Sequence, residues 1–127
     1  MYVENNPDGK DSYLAYADML ALAQNLCDRS EGATWSAVPF EDIDLTQRTR
    51  RELRCFAAIN IHIVDTQQKV EGELLDIVNA MLALSDTFDA EKKDDGVHLI
   101  FGMERKLIWQ NEEKKPKVKK LFGKPIK

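Results

Sequence analysis

The sequence predicts an all-α protein: a helical bundle around one long, heptad-patterned helix. Two observations favour this fold class: an amphipathic segment that begins at Ser12, and a heptad of apolar residues from Leu53 to Phe88. A third is composition, since 43% hydrophobic and 31% charged residues are typical of a globular chain with an ionic surface. A chain of 127 residues suits a single domain. The alternative is an α+β fold with a C-terminal β-hairpin.

The first element is expected to be a helix that follows a mobile N-terminal lead over residues 1–11. That lead combines Asn, Pro, Asp and Gly, which favour turns. From Ser12 the apolar residues recur at spacings of three and four, and Asp11 or a serine supplies the cap. Gly32 ends the helix, and Pro39 prevents it from resuming. The apolar positions are Tyr16, Met19, Leu20, Ala23, Leu26 and Cys27.

A long helix is expected over residues 45–89, with Asp44 as its cap and Gln47 as the reciprocal partner. The isoleucines at 59, 61 and 63 alternate as in a strand, but a strand there would leave the heptad on either side unexplained. We therefore assign them to the helix. Of the eleven heptad positions only Asn60 and Gln67 are polar: Leu53, Phe56, Asn60, Ile63, Gln67, Val70, Leu74, Ile77, Met81, Leu84 and Phe88.

The apolar face of this helix is too wide for a two-stranded coiled coil, which favours a bundle and a homo-oligomer. Asn60 and Gln67 are the candidates that would set helix register in the oligomer. The weak point is Gly72, where the helix either continues or folds back into two helices.

The last part of the domain is ambiguous. The segment DAEKKDDG at 89–96 is interpreted as a stop, and residues 97–113 fit either a helix or a hairpin that turns around GMER. The helix is preferred because an isolated two-stranded hairpin is marginally stable. The predicted organisation is a bundle domain over 12–113 and a basic tail over 114–127.

Charge is divided unevenly along the chain. The tail holds 7 of the 18 basic residues and no acid, which leaves 11 basic against 22 acidic residues in 1–113. Such asymmetry points to an interaction arm. A second basic group lies at residues 48–54, at the start of the expected long helix, where the helix dipole disfavours cations. The predicted partner- or phosphate-binding residues are Arg48, Arg50, Arg51, Arg54, Lys114, Lys115, Lys117, Lys119, Lys120 and Phe122.

Each basic group also has a structural interpretation, and the alternatives stay open. The arginines could pair internally with Glu41, Asp42, Asp44 and Glu52. The tail could lie on the acidic body of its own chain, or it could bind nucleic acid or an anionic surface through counterion release.

No catalytic constellation, cofactor motif or complete metal site is found. His62 with Asp65 offers two metal ligands on one expected helical face, but no third ligand completes the set. No phosphate-binding glycine loop or nucleophile elbow occurs. Cys27 and Cys55 lie far apart, which fits a reducing compartment. The N-terminus has no signal-like segment, and no apolar run is long enough to span a membrane.

The predicted function follows from abundant helical surface without catalytic chemistry. We expect a non-enzymatic, cytoplasmic regulatory, adaptor or inhibitor protein that acts through helical contacts with a protein partner. The alternative is a nucleic-acid-binding accessory factor that uses the Arg48–Arg54 cluster and the lysine-rich tail.

Overall fold

The computed structural model describes residues 1–5, 11–64 and 69–111. The elements in chain order are β1 (Tyr2–Glu4), α1 (Ser12–Arg29), β2 (Ala33–Val38), β3 (Glu52–Ile63), α2 (Glu73–Leu84), β4 (Thr87–Lys93) and β5 (Gly96–Trp109). The architecture is α+β. The prediction of an all-α bundle is therefore wrong, and so is the coiled-coil-like heptad from Leu53 to Phe88 on which it rested.

Five antiparallel strands form one sheet in the order β1-β5-β3-β2. Strand β4 also pairs with β5, on the same edge as β1 but at the other end. The centre of the sheet is the β3–β5 pair, which runs in continuous register from Glu52↔Ile108 to Ile63↔Val97. Within the described ranges, no helix has both the length and the apolar character needed to cross a membrane.

Residues 52–63 form a strand, and their side chains alternate between buried and more exposed positions at every residue. Leu53, Cys55, Ala57 and the three isoleucines are buried, and the residues between them are exposed or half-buried. The continuous helix predicted over 45–89 is wrong, since helix occupies only Glu73–Leu84 of that range. Gly72 is the N-cap of this short helix, with φ at 60°.

The prediction of a helix from Ser12 is confirmed. Asp11 is its N-cap, and the carboxylate accepts hydrogen bonds from the backbone N–H groups of Tyr13 and Leu14 at 3.0 and 3.1 Å. Asp44, predicted as a second cap, precedes no helix. Its carboxylate instead accepts hydrogen bonds from the backbone N–H and hydroxyl of Thr46, so it stabilises a local turn.

The helix predicted over 97–113 is also wrong, because β5 extends from Gly96 to Trp109. The segment at 89–96 is not a stop: it contains most of β4 and the tight turn Asp94–Asp95 into β5. The hairpin kept as an alternative had its turn at GMER, but residues 102–105 lie inside β5.

Both helices pack on the same face of the sheet, and the core lies between them and the strands. Its largest fully buried side chains include Met19, Met81, Phe101 and Leu107. No described element packs on the other face, which we call the open face. Phe56 and Val38 lie there with 60% and 64% of their surface exposed.

Candidate functional site

Three side chains of types that can ligate a metal ion meet at one end of the open face, and we call them the histidine cluster: His62, Asp95 and His98. His62 on β3 and His98 on β5 are direct cross-strand partners. Asp95 lies in the tight turn between β4 and β5. The register of the sheet therefore brings together two histidines that are 36 positions apart, and the hairpin adds the carboxylate.

The two imidazole rings of the cluster are stacked, with centroids 4.4 Å apart and planes 7° from parallel. Both Nε2 atoms point towards Asp95. His98 Nε2 is 3.0 Å from Asp95 Oδ1, and His62 Nε2 is 2.8 Å from the Asp95 carbonyl oxygen. The hydrogen bond from His98 holds the pKa of the Asp95 carboxyl below its ordinary value. The carboxyl therefore stays ionised beside the two rings at neutral pH.

Asn60 supports the cluster from the next position of β3 on the same face. Its side-chain Nδ2 lies 3.3 Å from Nδ1 of His98. Its Oδ1 is buried and has no hydrogen-bond partner among the described residues. A buried acceptor without a donor is costly, so this oxygen would gain from a hydrogen-bond donor on the cluster. In the described part of the chain it is the buried side-chain atom that lacks a partner.

The sequence indicated only part of this cluster. His62 was singled out but paired with Asp65, which lies outside the described residues. The missed residues are Asp95 and His98. No spacing along the chain could reveal them, because their proximity to His62 depends on strand pairing. His62 itself lies on a strand, and not on the helical face that the sequence analysis expected.

The predicted arginine cluster lies near the other end of β3 and is divided by the structure. Arg54 lies on the open face and forms ion pairs with Glu52 at 3.6 Å and with Glu104 at 3.3 Å. For Arg54, the alternative of internal ion pairing is therefore the one that the structure supports. Arg48, Arg50 and Arg51 are exposed in the loop before β3, and the described residues offer them no ion pair. No helix begins here, so the helix-dipole argument for an anion site does not apply.

The remaining predicted positions are the two proposed register residues and the basic tail, and the structure describes one of them. Asn60 lies on a strand, so it has no helical register to set, and Gln67 lies outside the described residues. The same holds for the predicted tail residues Lys114, Lys115, Lys117, Lys119, Lys120 and Phe122.

A second candidate surface is the outer edge of β2. This strand pairs with β3 and with no other described strand. Its six residues, ATWSAV, carry no charge. The opposite edge strand β4 carries Asp89, Glu91, Lys92 and Lys93. Charged side chains, lysine especially, are a common protection of sheet edges against pairing with another strand. Of these two edges, β2 is the unprotected one.

The backbone groups at this edge can be assigned from one hydrogen bond. The Val64 N–H donates to the Gly32 carbonyl at 3.1 Å, immediately before the first β2–β3 pair. Hydrogen bonding alternates along an antiparallel pair. The backbone groups of Thr34, Ser36 and Val38 therefore face β3, and those of Trp35 and Ala37 point outward, where a further strand can pair.

No protein-family model, curated protein or solved structure matches this chain. The proposals below therefore depend on the geometry of two surfaces, the histidine cluster and the β2 edge.

Proposed function

We propose that this is a non-enzymatic, cytoplasmic regulatory or adaptor protein that works by binding another protein chain at the β2 edge. The observation that carries the proposal is the contrast between the uncharged β2 edge and the charged β4 edge. The contacts are made by sheet backbone, not by helices as the sequence had suggested. Cys27 and Cys55 are free, which fits a reducing compartment.

The occupant that we assign to this edge is a second copy of the chain, in antiparallel pairing. In such a two-fold arrangement each copy presents the same strand, so an edge with charges would place like charges close together. Strand β2 has none. The outward N–H and C=O groups of Trp35 and Ala37 in one copy would pair with those of the other. The product is one continuous sheet with the two open faces side by side.

The exposed apolar residues near this edge also favour a covered surface. Val38 ends β2, and Phe56 lies on β3 just beyond Ala58, the residue opposite Val38. Both side chains face solvent on the open face with more than half of their area exposed. Burial of such residues in an assembly stabilises it by roughly 25 cal/mol per Å² of apolar area removed from water.

The test is the mass of the protein in solution, measured by size-exclusion chromatography with light scattering over a range of concentrations. We expect the wild type to reach twice the chain mass of 14.5 kDa at high concentration. The double variant T34K/S36K adds two lysines to exposed positions of β2 and leaves its pairing with β3 intact. It should remain at 14.5 kDa, because lysines of the two copies would face each other.

The matched control is A17K/A21K, which adds two lysines at exposed positions on α1 and should still dimerise. Ala37→Pro is an independent variant, since it removes one outward N–H without removing a hydrogen bond to β3; it should weaken the dimer. A wild type that stays at the mass of one chain overturns the proposal. So does a T34K/S36K dimer as stable as that of the control.

A second candidate function, binding to nucleic acid, is supported by the three exposed arginines without ion pairs in the described part of the chain. Three such cations in one loop, Arg48, Arg50 and Arg51, can contact backbone phosphates. We expect R48A/R50A/R51A to weaken binding to mixed-sequence DNA or RNA. The slope of log affinity against log salt should fall by about one unit for each arginine–phosphate pair removed. Fluorescence anisotropy at low salt and at increasing salt measures both quantities.

The control is Arg29→Ala, which removes an arginine paired with Glu73 on another surface. Nucleic-acid binding is excluded if the wild type produces no anisotropy change at low salt. Binding at this loop is also excluded if Arg29→Ala loses as much affinity as the triple variant loses for each arginine removed.

A further inference from the structure

We propose that the histidine cluster of His62, Asp95 and His98 is a binding site for a first-row divalent transition-metal ion, with Zn²⁺ as the best match. This site borders the β2 edge, because His62 pairs with Thr34, but its ligands lie on β3, on β5 and in the β4–β5 turn. It needs no residue from a second copy of the chain, so it does not depend on the proposed dimer. The sequence analysis did not predict a bound metal ion for this protein.

The ligand chemistry of the cluster selects the class of ion. Two imidazole nitrogens and one carboxylate oxygen form a donor set that suits zinc and its neighbours in the first transition row. Calcium and magnesium prefer oxygen ligands throughout, and here one carboxylate is the sole anionic ligand of the set. Three protein ligands would leave a fourth tetrahedral position for water or an external ligand.

The distances are compatible with coordination after small side-chain movements. One ligand atom from each of the three residues lies within 4.8 Å of the others. Tetrahedral zinc with bonds of about 2.0–2.2 Å needs its ligand atoms roughly 3.3–3.6 Å apart. His98 and Asp95 are already at 3.0 Å, and His62 Nε2 is 3.6 Å from Asp95 Oδ2.

The principal adjustment is rotation of one imidazole ring. In this structure each Nε2–H donates a hydrogen bond to an oxygen of Asp95, so both rings must carry the proton on Nδ1 before Nε2 can bind a metal. The rings are also 7° from parallel, so the in-plane directions from the two Nε2 atoms do not converge. A turn of either ring would aim both at one point. Asp95 can follow this movement, because its side chain is 60% exposed and lies in a turn.

Asn60 is suited to hold the histidine tautomer that coordination requires. A metal bound at Nε2 of His98 leaves the proton on Nδ1, and a second residue normally accepts a hydrogen bond from that N–H. The Asn60 amide already contacts Nδ1, here through its nitrogen. Rotation of the amide by 180° would present Oδ1 instead, the atom that is buried and without a partner. Metal binding would thereby supply the donor that this oxygen lacks.

Charge around the cluster also favours a cation. The Glu91 carboxylate lies on the strand paired with His98, directly opposite it in register. Its charge is shared with Lys93, whose Nζ lies 3.3 Å from Oε1 of Glu91. A divalent ion here would be partly neutralised by ionised carboxylates.

The test uses full-length, tag-free protein that has been stripped of metal and titrated with ZnCl₂. The sequence has two histidines, so the ring proton signals in a one-dimensional NMR spectrum report on both without any mutation. We expect both rings to shift together and to saturate at one Zn²⁺ per chain. Isothermal titration calorimetry gives the affinity.

His62→Gln, Asp95→Asn and His98→Gln should each weaken binding by more than about tenfold, and Asn60→Ala by about tenfold or more through loss of tautomer control. The matched control Asp94→Asn removes the same charge from the neighbouring turn residue and should change the affinity by less than about twofold. C27S/C55S should bind as the wild type does, since thiols are not part of the set. Circular dichroism checks that each variant is folded.

Two results would overturn the proposal. One is a wild-type spectrum in which millimolar Zn²⁺ leaves the histidine signals unchanged, which means that the cluster is only a hydrogen-bonded group. The other is binding that Asp95→Asn and Asp94→Asn weaken equally, which means that zinc responds to the general charge of the turn. Because the readout is local to the rings, the result does not depend on whether the protein dimerises.

Discussion

Arg105 and Glu4 form an ion pair of 2.9 Å that joins β5 to β1 across 101 positions of sequence. Arg105 is only 8% exposed, and its guanidinium lies 4.5 Å from the centre of the Tyr13 ring on α1. The other oxygen of Glu4 accepts a hydrogen bond from the Ser12 backbone N–H at 3.1 Å. One ion pair thus ties together the N-terminal strand, the start of α1 and the last strand.

Arg105→Ala should lower the free energy of unfolding by about 3 kcal/mol, because it breaks a partly buried ion pair and also removes the packing of the guanidinium on Tyr13. Urea denaturation followed by circular dichroism measures this loss. The control is Arg54→Ala, which breaks exposed ion pairs with Glu52 and Glu104 and should cost less than about 1 kcal/mol. Equal losses for the two variants would contradict the structural role of Arg105.

Gly96→Ala should be far more destabilising than Gly32→Ala. Both glycines have positive φ, at 128° and 79°. A Cβ at Gly96 would collide with the Ile63 carbonyl oxygen, so the backbone of β3 must move. At Gly32 nothing lies within 4 Å. We expect a loss of about 1 kcal/mol at Gly32 from backbone strain alone, and roughly 3 kcal/mol or more at Gly96.

Urea denaturation of these two variants provides the comparison, and each serves as the other's control. If Gly96→Ala proved as stable as Gly32→Ala, the close approach of the β4–β5 turn to the end of β3 would be refuted. That approach also positions Asp95, so the variant should weaken zinc binding at the histidine cluster as well.

Neither cysteine is expected to act as a nucleophile at neutral pH. Burial raises the pKa of the Cys27 thiol, and the nearby Asp28 charge adds to the effect. Burial also raises the pKa of the Cys55 thiol, with Arg105 opposing it. The reactive form is the thiolate. Alkylation by iodoacetamide should therefore be slow at both, and slowest at Cys55, which is fully buried.

Mass spectrometry of peptides after timed alkylation distinguishes the two thiols, and the unfolded protein in urea provides the reference rate. Cys27→Ser isolates the reaction of Cys55. Labelling of Cys55 in the folded protein at the rate seen in urea would mean that the centre of the sheet is open to solvent, which this fold does not allow.

Asp44 should titrate at a lower pH than an ordinary aspartate. The hydrogen bond from the Thr46 hydroxyl, at 2.6 Å, and that from the Thr46 N–H lower its pKa. Because the pKa in the folded state is depressed, this carboxylate contributes stability above the pKa it has in the unfolded chain, about 3.9. That contribution disappears as pH falls through the lower value of the folded state.

NMR titration of the Asp44 carboxyl tests this expectation. Thr46→Val removes the hydroxyl but preserves the shape, and it should raise the pKa of Asp44 towards its ordinary value. Thr46→Ser keeps the hydroxyl and should leave the pKa nearly unchanged. Identical titration curves for Thr46→Val and the wild type would show that the hydroxyl does not control the carboxyl.

Local signals in the sequence predicted the part of the fold that is stabilised locally. Helix α1 satisfies its backbone hydrogen bonds within itself, and Asp11 completes its first turn, so cap and periodicity were sufficient to find it. The same reasoning failed over 52–63. Apolar residues at Leu53, Phe56 and Ile63 fit a heptad, but Phe56 points into solvent, and the buried set follows a period of two.

The sequence by itself determined the first helix, the two cysteines as thiols far apart in the chain and the division of charge between residues 1–113 and 114–127. Only the tertiary structure decided that β3 and β5 are strands, since a strand finds its hydrogen-bond partners in another segment. It also decided the histidine cluster, because His62 and His98 become neighbours through the register of that pairing. Alternating isoleucines are compatible with helix or strand until a partner strand satisfies their backbone groups.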